Sequence, residues 1–517
     1  MKARTLFGLA CLWGCLLLGV SCGNQSDYSL SYDVSFDEEH HYINVEMTLA
    51  GYPGEQVELT MPVWAPGYYL IVDFPKYLTD FEAFRPDGTP LAWNKQGKNV
   101  WQVAVADTVK ARWRVFADER SVAESRVESG VAFVAPNGVF MYAGQEGVQH
   151  PVQLSFRLPE GWKNASTALP CCGCESSAEA SDCETVPAAS GCEPLGKCFT
   201  YRAADFDQLY DSPMLFGNHY VETFEQDGHS YEFALETPDG FAQSGMGEAI
   251  RKMIATTTGL MGQVPYDRYC FIWLGQGRGG LEHTASQACY TAGSFCFPNR
   301  ASFVDELLFF THEYFHLYNV KTIRPIELGP FDYSREVFTP MLWVSEGFTC
   351  YYETKICLAA GLITQEERLR ELSNYIRDTE SCDGHRHMSL RQSSYDIWLN
   401  FFNRAANGQD VRISYYVKGP VLGLLFDLEL QQLTGGQRSL DDLMRLLYQR
   451  FYLELGRGFT EEEFWQAAGE VAGAPLDRLK AYVNTTEEID YESILEPAGL
   501  ALDRSTWTLS ELPIPQQ

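Results

Sequence analysis

The chain has 517 residues, of which 45% are hydrophobic and 21% are charged. This length and composition are typical of a folded protein with cores for two or three domains. The formal net charge of −30 would repel the phosphates of DNA or RNA, so the composition excludes a nucleic-acid partner.

An apolar run, Leu6–Val20, follows a positively charged start at the beginning of the chain. The run is too short for a stable membrane span and has the layout of an export signal. It leads into Val20-Ser21-Cys22-Gly23, which resembles the processing site of bacterial lipoproteins, where the cysteine carries the lipid. Gly19 departs from the larger aliphatic residue that is usual three places before that cysteine. The sequence therefore predicts an exported, membrane-anchored lipoprotein, periplasmic or on the cell surface, with a signal peptide over 1–21, lipidation at Cys22 and a tether over 22–30.

Short runs of alternating apolar and polar residues, separated by Gly, Pro and Asp, fill the next part of the chain. Such runs are typical of strands joined by turns. The sequence predicts an N-terminal all-β domain over 31–235. Its predicted strands include 42–49, 56–62, 100–104, 112–117 and 131–134, and the runs 217–224 and 230–235 are expected to close it.

A cysteine-rich insert over 171–198 interrupts this domain. In an exported protein, six cysteines without periodic surroundings favour a loop held by disulfides, and six cysteines allow about 15 connectivities. A metal knuckle is the alternative, although the spacings match no paired C-x-x-C pattern. The six residues are Cys171, Cys172, Cys174, Cys183, Cys192 and Cys198.

The pattern changes after Pro238, where a helix is predicted over 246–260 and a short strand over 269–274. A further helix, from about Val304, carries His312-Glu313-Tyr314-Phe315-His316. Residues four apart lie on one face of a helix, so the two histidines can hold one metal ion. Glu313 lies about 100° round the helix, where it can reach a water at that metal.

Glu346, thirty residues after His316, supplies a third candidate ligand. It lies on a predicted helix that begins at Pro340 and ends at Gly361. Three protein ligands and an open position are the pattern of catalytic zinc, whereas structural zinc is enclosed by four protein ligands. A motif of this kind also arises by chance, but its place in an apolar helix favours a catalytic zinc site.

Beyond Gly361 the chain is predicted to be helical to about residue 500. Two capping boxes mark helix starts, Thr364 with Glu367 and Thr460 with Glu463, since each pairs a capping hydroxyl with an acid three residues later. Further helices are predicted over 421–433 and 439–455.

Five motifs follow one another along the mature chain: M-P-V-W-A-P-G-Y-Y at 61–69, G-G-L-E-H at 279–283, H-E-Y-F-H-L-Y-N-V-K at 312–321, W-V-S-E-G-F-T-C-Y-Y-E at 343–353 and Y-V-K-G at 416–419. With these motifs the chain resembles the glycyl aminopeptidase family of zinc metallopeptidases, relatives of the leukotriene-hydrolase and aminopeptidase-N group. Several motifs in the expected order are far more specific than any one alone.

The resemblance implies that one Zn²⁺ per chain is held by His312, His316 and Glu346. It implies that Glu313 is the general base, which takes a proton from the attacking water. Tyr416 would donate a hydrogen bond to the developing oxyanion, a role suited to a neutral phenol. Tyr415 is the alternative if the alignment is shifted by one residue.

Glu282 would bind the free N-terminal amine of the substrate, because a carboxylate facing an ammonium is a charge-assisted contact. Gly279 and Gly280 would let the backbone approach the peptide closely. Without the resemblance, the alternative is that Glu282 is an exposed loop acid. Glu353 lies two helical turns after Glu346 and is expected to orient a zinc histidine or to form a salt bridge in the fold.

The implied fold is multidomain. It consists of the N-terminal all-β domain, a thermolysin-like α+β catalytic domain over 236–360 and an α-helical C-terminal domain over 361–500, followed by a tail over 501–517. A PDZ module, which many family members carry after the helical part, is not expected in so short a tail.

The expected activity is zinc-dependent release of N-terminal residues, small ones such as Gly or Ala, from peptides with a free N-terminus. Two alternatives remain open. A zinc endopeptidase would not need Glu282 as an amine anchor. A non-catalytic, surface peptide-binding lipoprotein would need neither Glu313 nor Tyr416.

Overall fold

The structure is a computed structural model that describes residues 28–144, 147–174, 197–402 and 405–513. The signal peptide, residues 22–27 of the tether with Cys22, and Cys183 and Cys192 lie outside the described residues. The lipid anchor and the disulfides therefore stay predictions. Among the described helices, none combines the length and the apolar character that crossing a bilayer requires.

The N-terminal part is rich in β-structure, as predicted. In β2 every second residue is buried, because alternate side chains of a strand point to opposite faces and only one face meets the core. Its sheets have the strand orders β13-β14-β11-β1-β2-β7-β4, β10-β3-β6-β5 and β12-β15-β9-β8. The strands are β1 (Ser29–Asp37), β2 (Tyr42–Ala50), β3 (Gln56–Thr60), β4 (Leu78–Phe84), β5 (Trp93–Lys95), β6 (Val100–Ala104), β7 (Thr108–Phe116), β8 (Arg126–Glu128), β9 (Val131–Val134), β10 (Tyr142–Ala143), β11 (Val152–Arg157), β12 (Asn164–Thr167), β13 (Cys171–Cys174), β14 (Cys198–Ala203) and β15 (Met214–Gly217), and one helix, α1 (Phe206–Tyr210), precedes β15.

A five-stranded mixed sheet follows, with the order β16-β17-β18-β20-β19. Its first two strands were predicted to close the N-terminal β domain at residue 235, whereas β17 pairs in parallel with β18. The alternation of side chains identifies a strand, but it does not identify the partner across the sheet. The strands are β16 (Tyr220–Gln226), β17 (His229–Leu235), β18 (Arg268–Gln276), β19 (Gly280–Glu282) and β20 (Ser286–Thr291), with helices α2 (Phe241–Ser244) and α3 (Met246–Met261) between β17 and β18.

Two helices carry the predicted metal ligands. The first, α4 (Arg300–Phe315), begins at a capping box formed by Asn299 and Ser302. The second begins as a π-helical turn, Trp343–Phe348, and continues as α5 (Thr349–Ala359). π-helical turns inside helices are often found at functional sites, and this one contains Glu346.

The C-terminal part is helical, and both predicted capping boxes form. One helix, α10, begins at Tyr415 rather than at 421, because Pro420 is accommodated inside the helix instead of marking its start. The segment assigned to the tail contains a hairpin, β21 (Leu500–Asp503) with β22 (Thr508–Glu511). The helices are α6 (Gln365–Glu380), α7 (Leu390–Tyr395), α8 (Ile397–Asn400), α9 (Gly408–Val411), α10 (Tyr415–Leu433), α11 (Leu440–Leu447), α12 (Glu461–Ala472), α13 (Asp477–Asn484) and α14 (Glu492–Leu495), and a π-helical segment, Tyr448–Glu454, extends α11.

The buried apolar side chains form two large clusters. One fills the N-terminal β part, and the other runs without a break from the five-stranded sheet through α4 into the C-terminal helices. The metal-ligand helices and the C-terminal helices therefore share one core. A buried Arg126 joins β8 to the segment after β17, since it contacts Glu236 at 2.5 Å and Glu128 of β8 at 2.8 Å.

Candidate active site

The structure brings the three predicted metal ligands together. Nε2 of His312 and Nε2 of His316 are 3.0 Å apart. Oε2 of Glu346 is 3.5 Å from the first of these nitrogens and 3.1 Å from the second. Two nitrogens and an oxygen bound to one zinc at about 2.0–2.1 Å lie about 3.3 Å apart in tetrahedral geometry. The donor set and its spacing therefore fit a zinc ion.

The other ring nitrogen of each histidine is held by the protein. Nδ1 of His312 donates to Oε2 of Glu353 at 3.1 Å, and Nδ1 of His316 donates to the carbonyl oxygen of Asn319 at 2.7 Å. These bonds place a hydrogen on Nδ1 and leave the lone pair of Nε2 directed at the shared site. Glu353 therefore contacts one of the two histidines, and Tyr375 donates to its second oxygen at 2.9 Å.

The electrostatics of this cluster favour a positive charge at its centre. Burial by itself raises the pKa of Glu346, but His316 and His312 outweigh burial and hold the pKa at about 2. Burial lowers the pKa of His316, whereas Glu346 and Glu282 raise it, and the net change is upward. Oε2 of Glu346 is buried without a hydrogen bond from any described residue. A bound cation would supply a partner for this buried carboxylate oxygen.

Glu313 lies beside the ligands on α4 and is itself buried. Its Oε2 has no hydrogen-bond partner among the described residues. Burial raises the pKa of Glu313 to about 7, even though His312 and His316 lower it. A carboxyl group with a pKa near neutrality can both accept and return a proton, as acid–base catalysis requires.

The strand β19 runs alongside Glu313. A Cβ atom at Gly280 would lie only 2.1 Å from Oε1 of Glu313, and Gly279 has a φ of +98°. Both positions therefore require glycine, one for close approach and one for its backbone conformation. The sequence predicted that these glycines admit the peptide, and the structure adds that Gly280 makes room for Glu313.

Glu282 ends β19 and is buried rather than exposed. Its carboxylate, that of Glu313 and a ring nitrogen of His316 lie within 4.8 Å of one another. A Cβ atom at Gly67, which has a φ of +85°, would lie 2.9 Å from Oε1 of Glu282. The motif at 61–69 of the N-terminal part therefore reaches the same site.

Two glycines position Tyr416. A Cβ atom at Gly347, next to Glu346, would lie 2.5 Å from Cα of Gly419, so α10 and the π-helical turn approach each other closely. This contact brings the ring of Tyr416 to 6.5 Å from the ring of His312, between centroids. Tyr416 is partly exposed and Tyr415 is fully buried, which favours Tyr416 as the phenol that faces the cleft.

Asn319 is a structural partner that the sequence reasoning missed. Its amide donates to the carbonyl oxygens of Val344 and Ser345, at 2.8 and 3.0 Å, and to Oγ1 of Thr349 at 3.0 Å. It thereby holds the π-helical turn of Glu346 to the end of α4. Its position three residues after His316, within a matched motif, was the signal available in the sequence.

A cavity of about 610 Å³ lies between the N-terminal part and the five-stranded sheet, and Glu282 lines it. Asp211, Lys321 and His283 line it as well, and Asp211 contacts each of the other two. Asp211 was also missed, because it follows α1 in the N-terminal part, some seventy residues before its contact His283.

Comparison with protein families matches two models of one family to this chain. The Peptidase M61 N-terminal domain matches residues 31–218, and the M61 glycyl aminopeptidase model matches residues 305–422. Together the two matches cover more than half of the chain. The first match ends just after β15. This agrees with the pairing of β16 and β17 in the five-stranded sheet.

Comparison with solved structures gives several similar folds. An aminopeptidase N family protein from Idiomarina loihiensis is 25% identical with a TM-score of 0.80, and the match covers 91% of this chain and 78% of that one. An M1 zinc metallopeptidase from Deinococcus radiodurans is 12% identical with a TM-score of 0.53, over 89% and 94% of the two chains. A mutant of that metallopeptidase bound to a Tyr-Ser-Ala substrate is 13% identical with a TM-score of 0.55, over 89% and 94%.

Comparison with curated proteins gave no match. The family matches and the site agree, however, since the matched residues 305–422 contain both histidines of the metal site, Glu346, Glu313 and Tyr416. The chain belongs to the M61 glycyl aminopeptidase family and is a metallopeptidase of the aminopeptidase type.

Proposed function

We propose that the protein is a zinc aminopeptidase that removes one residue at a time from peptides with a free N-terminus. The observation that carries this proposal is the position of Glu282, whose carboxylate shares a 4.8 Å cluster with Glu313 and the metal ligand His316. A peptide whose amine pairs with Glu282 has its first carbonyl group near the metal site. The thermolysin-like arrangement of the catalytic part is a further element of the proposal.

His312, His316 and Glu346 would hold one zinc ion per chain. A zinc ion at this site supplies a Lewis acid that polarises the scissile carbonyl and makes water acidic enough to lose a proton near pH 7. Glu313 accepts the proton of the attacking water and then transfers it to the nitrogen of the departing peptide. The hydroxyl of Tyr416 donates a hydrogen bond to the carbonyl oxygen as negative charge develops on it.

Small first residues such as Gly or Ala are the proposed substrates. The family description, glycyl aminopeptidase, supports this preference. Profiling the residues released from a mixed peptide library tests it, and a library in which bulky residues are released fastest would contradict it.

Export and lipidation at Cys22 are also proposed, and residues 1–23 of the sequence are their only support. The protein would then act on peptides outside the cytoplasm, anchored in a membrane by its lipid. Mass spectrometry of the mature N-terminus decides whether Cys22 is the first residue and carries lipid.

Glu282→Gln is expected to weaken the binding of substrates with a free amine, because a neutral amide replaces the charged partner of the ammonium. We expect KM for a glycyl reporter to rise at least about tenfold, which is about 1.4 kcal/mol of lost binding. Steady-state kinetics measures the change. If the protein is instead an endopeptidase, the wild type will cleave N-acetylated peptides as well as free ones.

Tyr416→Phe is expected to reduce kcat by about 10²–10³-fold, the usual cost of losing one donor to the oxyanion. Tyr415→Phe is the matched control, since it removes the same hydroxyl from the neighbouring residue and should change kcat much less. A larger loss in the Tyr415 variant would transfer the role to Tyr415.

A further inference from the structure

Asp211 is a partly buried carboxylate that binds three donors from outside its own part of the molecule. It lies directly after α1, in the N-terminal part. Its Oδ1 accepts from Nζ of Lys321 at 2.6 Å and from Nδ1 of His283 at 3.1 Å. Its Oδ2 accepts from the backbone N–H of Thr284 at 2.9 Å.

Two of these donors follow Glu282 directly in the chain. His283 and Thr284 continue the backbone from β19, whose last residue is Glu282. β19 is a short edge strand of three residues that pairs with β20 alone, and two glycines stand at its start. Leu281 packs into the core, but the two glycines bring no side chains that could anchor the start of the strand. The bonds of His283 and Thr284 to Asp211 therefore restrain the segment that carries Glu282.

The third donor, Lys321, lies in the turn that follows α4. The backbone N–H of Lys321 donates to the carbonyl oxygen of His316 at 3.0 Å, so Lys321 is tied to a metal ligand through the main chain. Its ammonium group is at the same time bound to Asp211. One carboxylate thus links the residue beside Glu282 to the residue that binds His316.

The charges in this cluster are balanced. Burial raises the pKa of Asp211, but Lys321 and His283 outweigh burial and lower the pKa below its ordinary value. Asp211 is therefore ionised at neutral pH and pairs with the Lys321 ammonium. A largely shielded, hydrogen-bonded ion pair of this kind defines geometry more strictly than an apolar contact.

We propose that Asp211 is a positioning residue, which sets the distance between the amine-binding carboxylate of Glu282 and the metal site. This inference rests on the proposed aminopeptidase function. The N-terminal part of the chain would then help to place the first peptide bond of the substrate at the metal site. A displacement of about 1 Å between two reacting groups is enough to lower the rate by about 10², so the restraint has a measurable effect.

The test uses the full chain with its metal, in the wild type and in Asp211→Asn. Two phosphinic dipeptide analogues serve as probes, identical except that one lacks the terminal amine. The wild type should bind the amine-bearing analogue more tightly. In Asp211→Asn we expect the ratio of the two inhibition constants to fall at least about fivefold, with KM for a glycyl reporter raised more than kcat is lowered. Metal content should stay at the wild-type level.

Asp427→Asn is the matched control. Asp427 is also a carboxylate with three donors, the Tyr351 hydroxyl at 2.6 Å, Nζ of Lys355 at 3.0 Å and the N–H of Leu440 at 2.9 Å, and it is more deeply buried than Asp211. It lies on α10, in the core shared with the helices. Its variant should lose a similar amount of thermal stability and keep the wild-type ratio of inhibition constants.

The outcomes separate the two proposals. If the wild type itself shows no preference for the amine-bearing analogue, the proposed exopeptidase function is wrong. If the wild type shows the preference and Asp211→Asn keeps it in full, the inference about Asp211 is overturned. Should Asp211→Asn fail to fold, Lys321→Gln breaks the same link from the other side and is judged by the same ratio.

Discussion

Replacing Glu313 by Gln is expected to lower kcat by about 10²–10⁴-fold, the range typical of losing a general base. The amide cannot accept the proton of the attacking water, and it has nearly the same size as the carboxyl group. His312, His316 and Glu346 are unchanged, so the variant should bind zinc as the wild type does. Turnover of a glycyl reporter and zinc analysis of the purified protein are the two measurements.

Glu306→Gln is the matched control for this variant. Glu306 lies on the same helix, two turns earlier, and burial raises its pKa to about 7 as well. Its substitution removes a comparable acid that does not belong to the metal cluster, so activity should remain close to that of the wild type. A fully active Glu313→Gln protein would refute the assignment of the general base and, with it, the hydrolytic mechanism.

Replacing Glu346 by Ala is expected to remove both the bound metal and the activity. The variant keeps the two imidazole ligands but lacks the buried carboxylate, whose low pKa keeps it negatively charged beside them. Zinc content after dialysis should fall from one ion per chain towards zero. Activity should not return at zinc concentrations that restore a chelator-treated wild type.

Glu353→Gln is the comparison variant, for which a smaller loss of metal affinity is expected. Glu353 touches the metal site only through Nδ1 of His312, and loss of such a partner typically lowers metal affinity by about 10–100-fold. This variant should regain activity when zinc is added. If Glu346→Ala keeps its zinc under conditions in which Glu353→Gln loses it, Glu346 is not a ligand.

The helices and most strands could be predicted from local patterns. The spacing of His312 and His316 on a helix, the capping boxes at Thr364 and Thr460, and the strands over 100–104 and 131–134 all appear where the sequence placed them. Each of these features depends on residues within one or two turns of each other. Hydrogen bonding and periodicity over that distance can be recognised from the sequence alone.

Partnerships between distant segments could not be predicted in this way. The runs 217–224 and 230–235 were assigned to the N-terminal β domain, but β17 pairs with β18 in the five-stranded sheet. The position of Tyr416 depends on a contact between Gly347 and Gly419. The helix predicted over 421–433 begins earlier, at Tyr415, because Pro420 is accommodated inside it.

By itself the sequence identified the candidate side chains for holding a metal, moving a proton and pairing with an amine. Only the tertiary structure decided how those groups are set relative to one another. The links made by Asp211, Asn319 and Gly67 join segments far apart in the chain. Such contacts form because folding buries polar groups that must then find partners, and no local pattern records which partner a buried group will meet.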